Sequence, residues 1–233
     1  MMRDLLSGLV DTLFPSYCIC CQSRLPAERR FICSTCFEAL PRYEENTTYY
    51  DVETRLEGYV PYSEYHADLV FTHTNAVRDL IHLIKYRQSP ELGRSLVEYF
   101  LPGHLEQGHY PDVSIVVPVP LAPKRLRHRG YNQSDFLAAP LAKALGAELM
   151  TDAVLRRDRE ASGTQTARSR RQRWEHMEGI FSVKAPGTFT GRRVLLVDDL
   201  LTSGATLIRL AQTIMSDGAE SVSYYTLAVD EKS

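Results

Sequence analysis

One stretch constrains the fold more than any other: four apolar residues, Val194–Val197, run directly into the paired acids Asp198 and Asp199. A short apolar run of this kind is typical of a strand buried on both faces of a parallel sheet. The residues that follow, 202–206, include two threonines, a serine and a glycine, and a helical pattern begins after them. Ligands of open α/β sheets bind at the carboxyl ends of the strands, which is where these acids are expected.

The chemistry of this stretch favours a phosphorylated ligand. Backbone N–H groups of the loop and the N-terminus of the helix attract an anion such as phosphate, and Thr202, Ser203 and Thr206 add hydroxyl donors. The carboxylates would repel that phosphate, so they suit ribose hydroxyls or a hydrated Mg²⁺. The alternative is a strand-to-helix turn in which Asp199 or Ser203 only caps the helix.

These residues resemble the phosphoribosyl pyrophosphate (PRPP) motif of type I phosphoribosyltransferases. The resemblance implies that Asp198 and Asp199 are the catalytic acids and hold the ribose 2′- and 3′-hydroxyls. It implies that the residues after them hold the 5′-phosphate, with Mg²⁺ accompanying PRPP. The implied binding stretch is Asp198, Asp199, Leu200, Leu201, Thr202, Ser203, Gly204, Ala205 and Thr206.

The cysteines form a second, independent signal. All five lie between Cys18 and Cys36, and four make two Cys-x-x-Cys pairs, Cys18 with Cys21 and Cys33 with Cys36. This spacing predicts a four-thiolate zinc site. Such a site has no open coordination position, so we expect structural zinc, with Cys20 as a spectator thiol. Disulfides and a thiol redox pair are the alternatives.

The alternation of strand and helix patterns predicts an α/β fold with a doubly wound, mostly parallel sheet. Strands are expected at 58–65, 113–119, 194–197 and 221–229, a short ribbon at 153–155 and 179–183, and helices at 77–87, 90–105, 131–145 and after 204. Pro140 should kink or break the third helix. Residues 41–57 are interpreted as a linker or covering arm. We therefore divide the chain into 1–57, with an N-terminal helix, the zinc module and the linker, and a phosphoribosyltransferase-like domain, 58–233.

The charge distribution says more than the net charge of −2. Residues 117–175 contain twelve basic and six acidic residues, so this segment is the candidate surface for a polyanion, either pyrophosphate or a DNA backbone. A solvated basic turn is the alternative. The candidate contacts are Lys124, Arg125, Arg127 and Arg129 in a loop before a helix, and Arg168 and Arg173 in a segment that is a candidate mobile hood.

Composition excludes several classes of protein. Hydrophobic residues make up 44% and charged residues 24%, as in ordinary soluble domains. No apolar stretch approaches the ~20 residues of a membrane span, and Asp4 and Asp11 interrupt the apolar N-terminus, which predicts an amphipathic helix and no signal peptide. We expect a cytoplasmic protein without membrane insertion. No Ser-His-Asp arrangement or Walker-type loop supports a hydrolase or a P-loop ATPase.

The combination of these features is similar to the ComF family of bacterial competence proteins. The resemblance covers about residues 10–230 and rests on the two cysteine pairs, the segment 117–133, Lys85 after an apolar helix and the PRPP motif. His176 departs from the family pattern. Membership implies a role in natural transformation, in which incoming single-stranded DNA is handled in the cytoplasm beside a helicase-like partner.

Three functions follow as hypotheses. The first is a PRPP-binding protein that also binds single-stranded DNA during DNA uptake. The second is a catalytically active phosphoribosyltransferase whose acceptor is unknown. The third is a non-catalytic adaptor that uses the zinc module to bind protein partners.

Overall fold

The computed structural model of the chain describes residues 16–26, 31–44, 52–73, 76–86, 89–158 and 179–231. In chain order they form α1 (Ser34–Glu38), β1 (Tyr65–Phe71), α2 (Ala76–Tyr86), α3 (Pro90–Glu106), β2 (Ile115–Pro118), α4 (Pro123–Arg129), α5 (Gln133–Leu145), β3 (Glu148–Leu149), β4 (Val154–Arg156), β5 (Phe181–Val183), β6 (Arg193–Leu201), α6 (Ala205–Ser216) and β7 (Ser221–Asp230). Residues 52–56 are also helical and are called here the helical segment 52–56.

The main sheet has the strand order β1-β7-β6-β2-β3, and every pairing in it is parallel. β6 lies at its centre, between β7 and β2. β4 and β5 form a separate antiparallel ribbon. These pairings confirm the predicted α/β fold with a parallel sheet and the predicted ribbon.

Both faces of the sheet are covered. Leu195 and Val197 pack into a first apolar layer with α2, α3 and α5, whereas Val194 and Leu196 pack into a second layer with α6 and the helical segment 52–56. All four side chains are at most 1% exposed. Burying an aliphatic side chain of this size stabilises a fold by about 1.5–3 kcal/mol, which explains why this run forms the central strand.

The structure corrects two predicted strands. The first strand covers Tyr65–Phe71, not 58–65, because the chain turns at Gly58, where φ is +79°. Polar His66 and Asp68 within the strand concealed its apolar alternation. β6 continues through the acid pair to Leu201, because its pairing with β7 extends that far. Asp198 and Asp199 are therefore strand residues.

Two helices also differ from the sequence-based expectation. α5 runs unbroken through Pro140. A proline there removes one backbone hydrogen bond, but Leu137 and Leu141 on either side are fully buried and hold the helix in place. The basic residues 123–129, expected in a loop, form α4, with Pro123 in its first turn, where a proline is favourable.

The cysteine-rich residues pack on the larger part of the chain. Phe37 of α1 lies against α3, with ring centroids 4.0 Å from Tyr99 and 5.5 Å from Phe100, and the guanidinium of Arg42 lies 4.5 Å from the ring centroids of Phe37 and Phe100. Leu25, Phe37 and Leu40 thus belong to the first apolar layer.

Part of the expected linker is a packed element. Val52 and Leu56 of the helical segment 52–56 are 1% exposed and belong to the second apolar layer. Within the range interpreted as a linker or covering arm, residues 52–56 are therefore packed against the larger part of the chain. The domain boundary after residue 57 stays a prediction. Among the residues that the structure describes, no helix has both the length and the hydropathy to cross a lipid bilayer.

Candidate functional site

The acid pair lies near the carboxyl end of β6 and is held by residues from two helices. Asp198 Oδ1 accepts hydrogen bonds from Ser134 Oγ at 3.1 Å and from the Asp199 N–H at 2.9 Å. Asp199 Oδ1 lies 3.1 Å from Lys85 Nζ, at the end of α2. Asp199 Oδ2 is buried and accepts no hydrogen bond from the residues that the structure describes. This oxygen is available to a ligand that brings a hydroxyl or a cation.

The electrostatics of the pair also favour such a ligand. The pKa of Asp198 is raised to about 7, mainly because burial disfavours the charged carboxylate and also because Asp199 lies beside it. The Asp199 N–H, Lys85 and Ser134 oppose this rise. Two adjacent carboxylates are stabilised in their charged form by a cation or by hydroxyl donors.

The loop after β6 has a backbone that requires glycine. Gly204 precedes α6 with φ at +73°, and a Cβ there would lie 3.1 Å from both the Arg55 carbonyl oxygen and Leu56 Cδ2. The loop therefore lies directly against the helical segment 52–56. It leads into the N-terminus of the 12-residue α6, the positive end of a helix dipole, and α6 has no acidic residue in its first turn.

Arg55 is one residue of this site that sequence reasoning missed. Its side chain is buried and donates to the carbonyl oxygens of Thr202 at 2.9 Å, Leu201 at 3.4 Å and Asp230 at 2.7 Å. Arg55 thereby ties together the ends of β6 and β7 where the loop begins. The i, i+4 spacing of Val52 and Leu56 was the signal that could have revealed this helical segment.

The acids open into a cleft of about 190 Å³. Basic side chains from several elements line it: Lys85, Arg125, Arg129 and Arg156. The remaining lining residues are Tyr86, Val119, Pro120, Leu121, Gln133, Asp198, Asp199, Leu200, Thr202 and Thr206. The cleft thus combines carboxylates, hydroxyls and fixed positive charge within one small volume.

Two of the three arginines in the cleft are held in place by other residues. Arg129 donates to Gln133 Oε1, and its guanidinium lies 5.0 Å from the ring centroid of Tyr86. Arg156 donates to the Pro120 carbonyl at 3.0 Å. Since Arg125 and Arg129 are one helical turn apart, they share a face of α4. No sequence motif had indicated that Tyr86 and Arg156 would line the cleft.

The structure separates the predicted basic contacts into two groups. Arg125 and Arg129 line the cleft, whereas Lys124 and Arg127 lie beside Asp158: the Lys124 N–H donates to Asp158 Oδ1 at 3.0 Å, and Arg127 lies 3.8 Å from Oδ2. Arg168 and Arg173 lie outside the described residues. In the predicted PRPP stretch, Leu201, Gly204 and Ala205 are buried, and Ser203 is half-buried and is not a lining residue.

The four paired cysteines come together as their spacing predicts. The sulfurs of Cys18, Cys21, Cys33 and Cys36 all lie within 4.8 Å of one another. Cys21 Sγ and Cys33 Sγ are 3.8 Å apart. A tetrahedral zinc with Zn–S distances of about 2.3 Å places its sulfurs about 3.8 Å apart, so the cluster fits zinc.

Backbone donors favour the thiolate form of one cysteine in this cluster. Burial alone would raise the pKa of Cys18, but hydrogen bonds from the backbone of Cys21, Cys33 and Cys20 lower it to about 6. In contrast, burial and the neighbouring Cys18 raise the pKa of Cys20 to about 11. Cys20 is thus kept as a thiol outside the four-sulfur group, which is consistent with a spectator.

Comparison with known proteins agrees with the motifs. The phosphoribosyl transferase domain family matches residues 134–233, from α5 to the end of the chain. The chain is 28% identical over 213 residues to the DNA utilization protein YhgH of Escherichia coli K12, with 90% of this chain and 83% of that protein covered. It is 31% identical over 158 residues to competence protein ComFC of Streptococcus pneumoniae, with 68% of this chain and 66% of that protein covered.

A solved structure of the glutamine PRPP amidotransferase from B. subtilis is 20% identical, with a TM-score of 0.41 over 63% of this chain and 30% of that chain. The sequence relatives and the domain match together carry the assignment. They establish that the chain belongs to the ComF family and contains a phosphoribosyltransferase-like domain with a type I α/β fold.

Proposed function

We propose that this protein binds PRPP together with Mg²⁺ in the cleft at the end of β6. The observation that carries the proposal is the acid pair Asp198–Asp199, with a buried oxygen available to a ligand, beside a glycine loop and a cluster of fixed cations. Carboxylates suit ribose hydroxyls, and the loop and the α6 N-terminus suit the 5′-phosphate.

Each part of the cleft then has a role. Asp198 and Asp199 hold the ribose hydroxyls, and Thr202 and Thr206 donate to the 5′-phosphate. Arg125 and Arg129 neutralise pyrophosphate, for which bound Mg²⁺ supplies further positive charge. Lys85 orients Asp199, since its ammonium lies 3.1 Å from that carboxylate.

We further propose that the protein acts in DNA uptake in the bacterial cytoplasm, where it binds single-stranded DNA beside a helicase-like competence protein. Two observations support this: relatives are named DNA utilization protein and competence protein, and the segment 117–175 is basic within an acidic chain. Zinc at the four cysteines is proposed to be structural, because a closed site leaves no position for a substrate.

Calorimetric titration of PRPP with Mg²⁺ tests the ligand. We expect binding to the wild type and loss of at least about tenfold in affinity, roughly 1.4 kcal/mol, for Asp198→Asn combined with Asp199→Asn. Asp158→Asn is the matched control, because Asp158 lies beside Lys124 and Arg127 outside the cleft lining. Equal binding by the double variant, or none by the folded wild type, would refute the PRPP proposal and favour the adaptor hypothesis.

Fluorescence anisotropy with a labelled single-stranded oligonucleotide at several salt concentrations tests the proposed DNA binding. We expect affinity to fall as salt rises, with a logarithmic slope of about −0.7 for each phosphate contact. Arg125→Ala combined with Arg129→Ala should make the slope less steep, whereas Arg94→Ala on α3, beside Glu91 and Glu98, should leave it unchanged. Binding that is insensitive to salt would contradict a phosphate-directed interaction.

A second candidate is transfer of the phosphoribosyl group to an acceptor. It is favoured by the position of Arg125 and Arg129 in the same cleft as the acid pair, where they can stabilise charge that develops on departing pyrophosphate. Release of pyrophosphate in the presence of nucleobases, amines or DNA would support this function. No release with any of these acceptors, from protein that binds PRPP, would argue for binding alone.

A further inference from the structure

Three histidines far apart in the sequence meet beside the outer strand of the sheet. His66 lies in β1, His104 in α3, and His109 just after the end of α3. One ring nitrogen of each lies within 4.8 Å of the other two. We propose that these three imidazoles hold a divalent transition-metal ion of the zinc type, at a site separate from the four cysteines.

A buried carboxylate orients the first ligand. His104 Nε2 lies 2.8 Å from Asp68 Oδ1, and Tyr225 donates its hydroxyl hydrogen to Asp68 Oδ2. With its Nε2 proton held by Asp68, the neutral ring of His104 carries its lone pair on Nδ1. Metal-binding histidines usually donate their second N–H to a carboxylate or carbonyl in this way, which fixes both tautomer and ring orientation.

A second carboxylate does the same for His66. His66 Nε2 lies 2.8 Å from Glu64 Oε2, while Glu64 Oε1 accepts the Tyr110 N–H at 2.8 Å. The lone pair of a neutral His66 is therefore on Nδ1 as well. The side chains of His66 and His104 are each only 11% exposed. Two carboxylates so close to three imidazoles also provide the negative charge that a dication requires.

The ring nitrogens lie close enough for a metal site, but the rings must move to hold the ion. His104 Nδ1 and His109 Nδ1 are 2.9 Å apart. Nitrogens on a tetrahedral zinc with bonds of about 2.0–2.1 Å lie about 3.4 Å apart, so these two rings must separate slightly. The rings of His66 and His109 are stacked with centroids 3.5 Å apart, so His109 must also rotate. His109 is the ligand best placed to do so, because it lies outside the helices and strands and is half-buried.

Zinc stoichiometry of the full-length protein tests the site. After loading with Zn²⁺ and gel filtration, we expect elemental analysis to find one more zinc per chain in the wild type than in His109→Ala. His82→Ala, at an exposed position on α2, is the matched control and should equal the wild type. Asp68→Asn removes the orienting negative charge and one of the two acceptor oxygens used by His104 and Tyr225. It should weaken zinc binding about 10–100-fold.

Cobalt titration distinguishes this site from the cysteines. Co²⁺ at the four thiolates produces a thiolate-to-metal charge-transfer band, whereas Co²⁺ at the histidines adds visible bands without it. We expect one equivalent of each kind in the wild type and only the thiolate kind in His109→Ala, or in His104→Gln if the first variant does not fold. Identical zinc content and cobalt spectra in the wild type and the histidine variants would overturn the proposal, and the histidines would then be a hydrogen-bond network only.

Discussion

At the scale of single residues, the acid pair shows how a candidate binding site can oppose stability. Asp198 is held by Ser134 and by the Asp199 N–H, yet its pKa is raised to about 7 by burial and by the neighbouring carboxylate. Between the ordinary aspartate pKa and about 7, the folded chain keeps a proton that the unfolded chain has lost. The stability of the fold should therefore decrease as the pH rises through this range.

Replacement of Asp198 tests this electrostatic cost. Asp198→Asn keeps the hydrogen-bond acceptor and removes the charge, so we expect it to stabilise the ligand-free protein at pH 8 by about 1–2 kcal/mol and much less at pH 5. Urea unfolding at both values measures the difference. Asp152→Asn, at an exposed carboxylate beside Lys184, should change little at either pH. A stabilisation equal at pH 5 and pH 8 would contradict a raised pKa of Asp198.

At the scale of elements, the loop after β6 is shaped by a helical segment far away in the sequence. Gly204 adopts a left-handed conformation against Leu56 and the Arg55 carbonyl, and the Arg55 side chain donates to the backbone of Leu201 and Thr202. The loop is therefore positioned on both sides of its turn by the helical segment 52–56. We expect its hydroxyls and N–H groups to bind the proposed 5′-phosphate only when that packing is in place.

Gly204→Ala separates this packing from conformational strain. A Cβ at this left-handed position costs about 1–2 kcal/mol and also meets the two atoms of the helical segment 52–56 at 3.1 Å. Gly146→Ala is the matched control, because Gly146 has φ at +63° and open space around its Cβ position. We expect similar strain in both variants but weaker PRPP binding only in Gly204→Ala, as measured by calorimetry. Unchanged PRPP affinity in Gly204→Ala would show that the loop tolerates displacement.

At the scale of the whole molecule, the cysteine module and the larger domain share one apolar layer. Phe37 contacts Tyr99 and Phe100 of α3, and Cys18, Leu25 and Leu40 belong to the same layer as Leu195 of the central strand. A metal at the cysteines would thus stabilise the packing on α3 as well as the module itself. This contact favours a role for the cysteine module in stabilising the packing on the sheet.

Loss of the cysteine site should accordingly destabilise more than the module. We expect Cys33→Ser to lower the thermal midpoint by about 5–10 °C, since 1 kcal/mol shifts a domain of this size by about 2–4 °C. Cys20→Ser should leave both zinc content and midpoint unchanged, as expected for a spectator. Differential scanning calorimetry with zinc analysis makes the comparison. A Cys33→Ser protein that loses zinc but melts like the wild type would show that the metal does not support the fold.

The sequence by itself was sufficient for features that local patterns encode. The apolar run before Asp198 predicted the central strand, because burial on both faces demands four apolar residues in a row. The paired Cys-x-x-Cys spacing predicted that four sulfurs would meet, because each pair forms a tight turn. The alternation of strands and helices predicted the parallel sheet. In each case the determining residues are neighbours along the chain.

Only the tertiary structure decided which distant residues complete the sites. The order β1-β7-β6-β2 and the helices packed on it bring Lys85 to Asp199, Arg55 to the loop after β6, and His66 to His104. It also decided that Arg125 faces the cleft while Lys124 does not. The physical reason is that these contacts depend on the packing of whole elements across both layers of the sheet, which no pattern of neighbouring residues encodes.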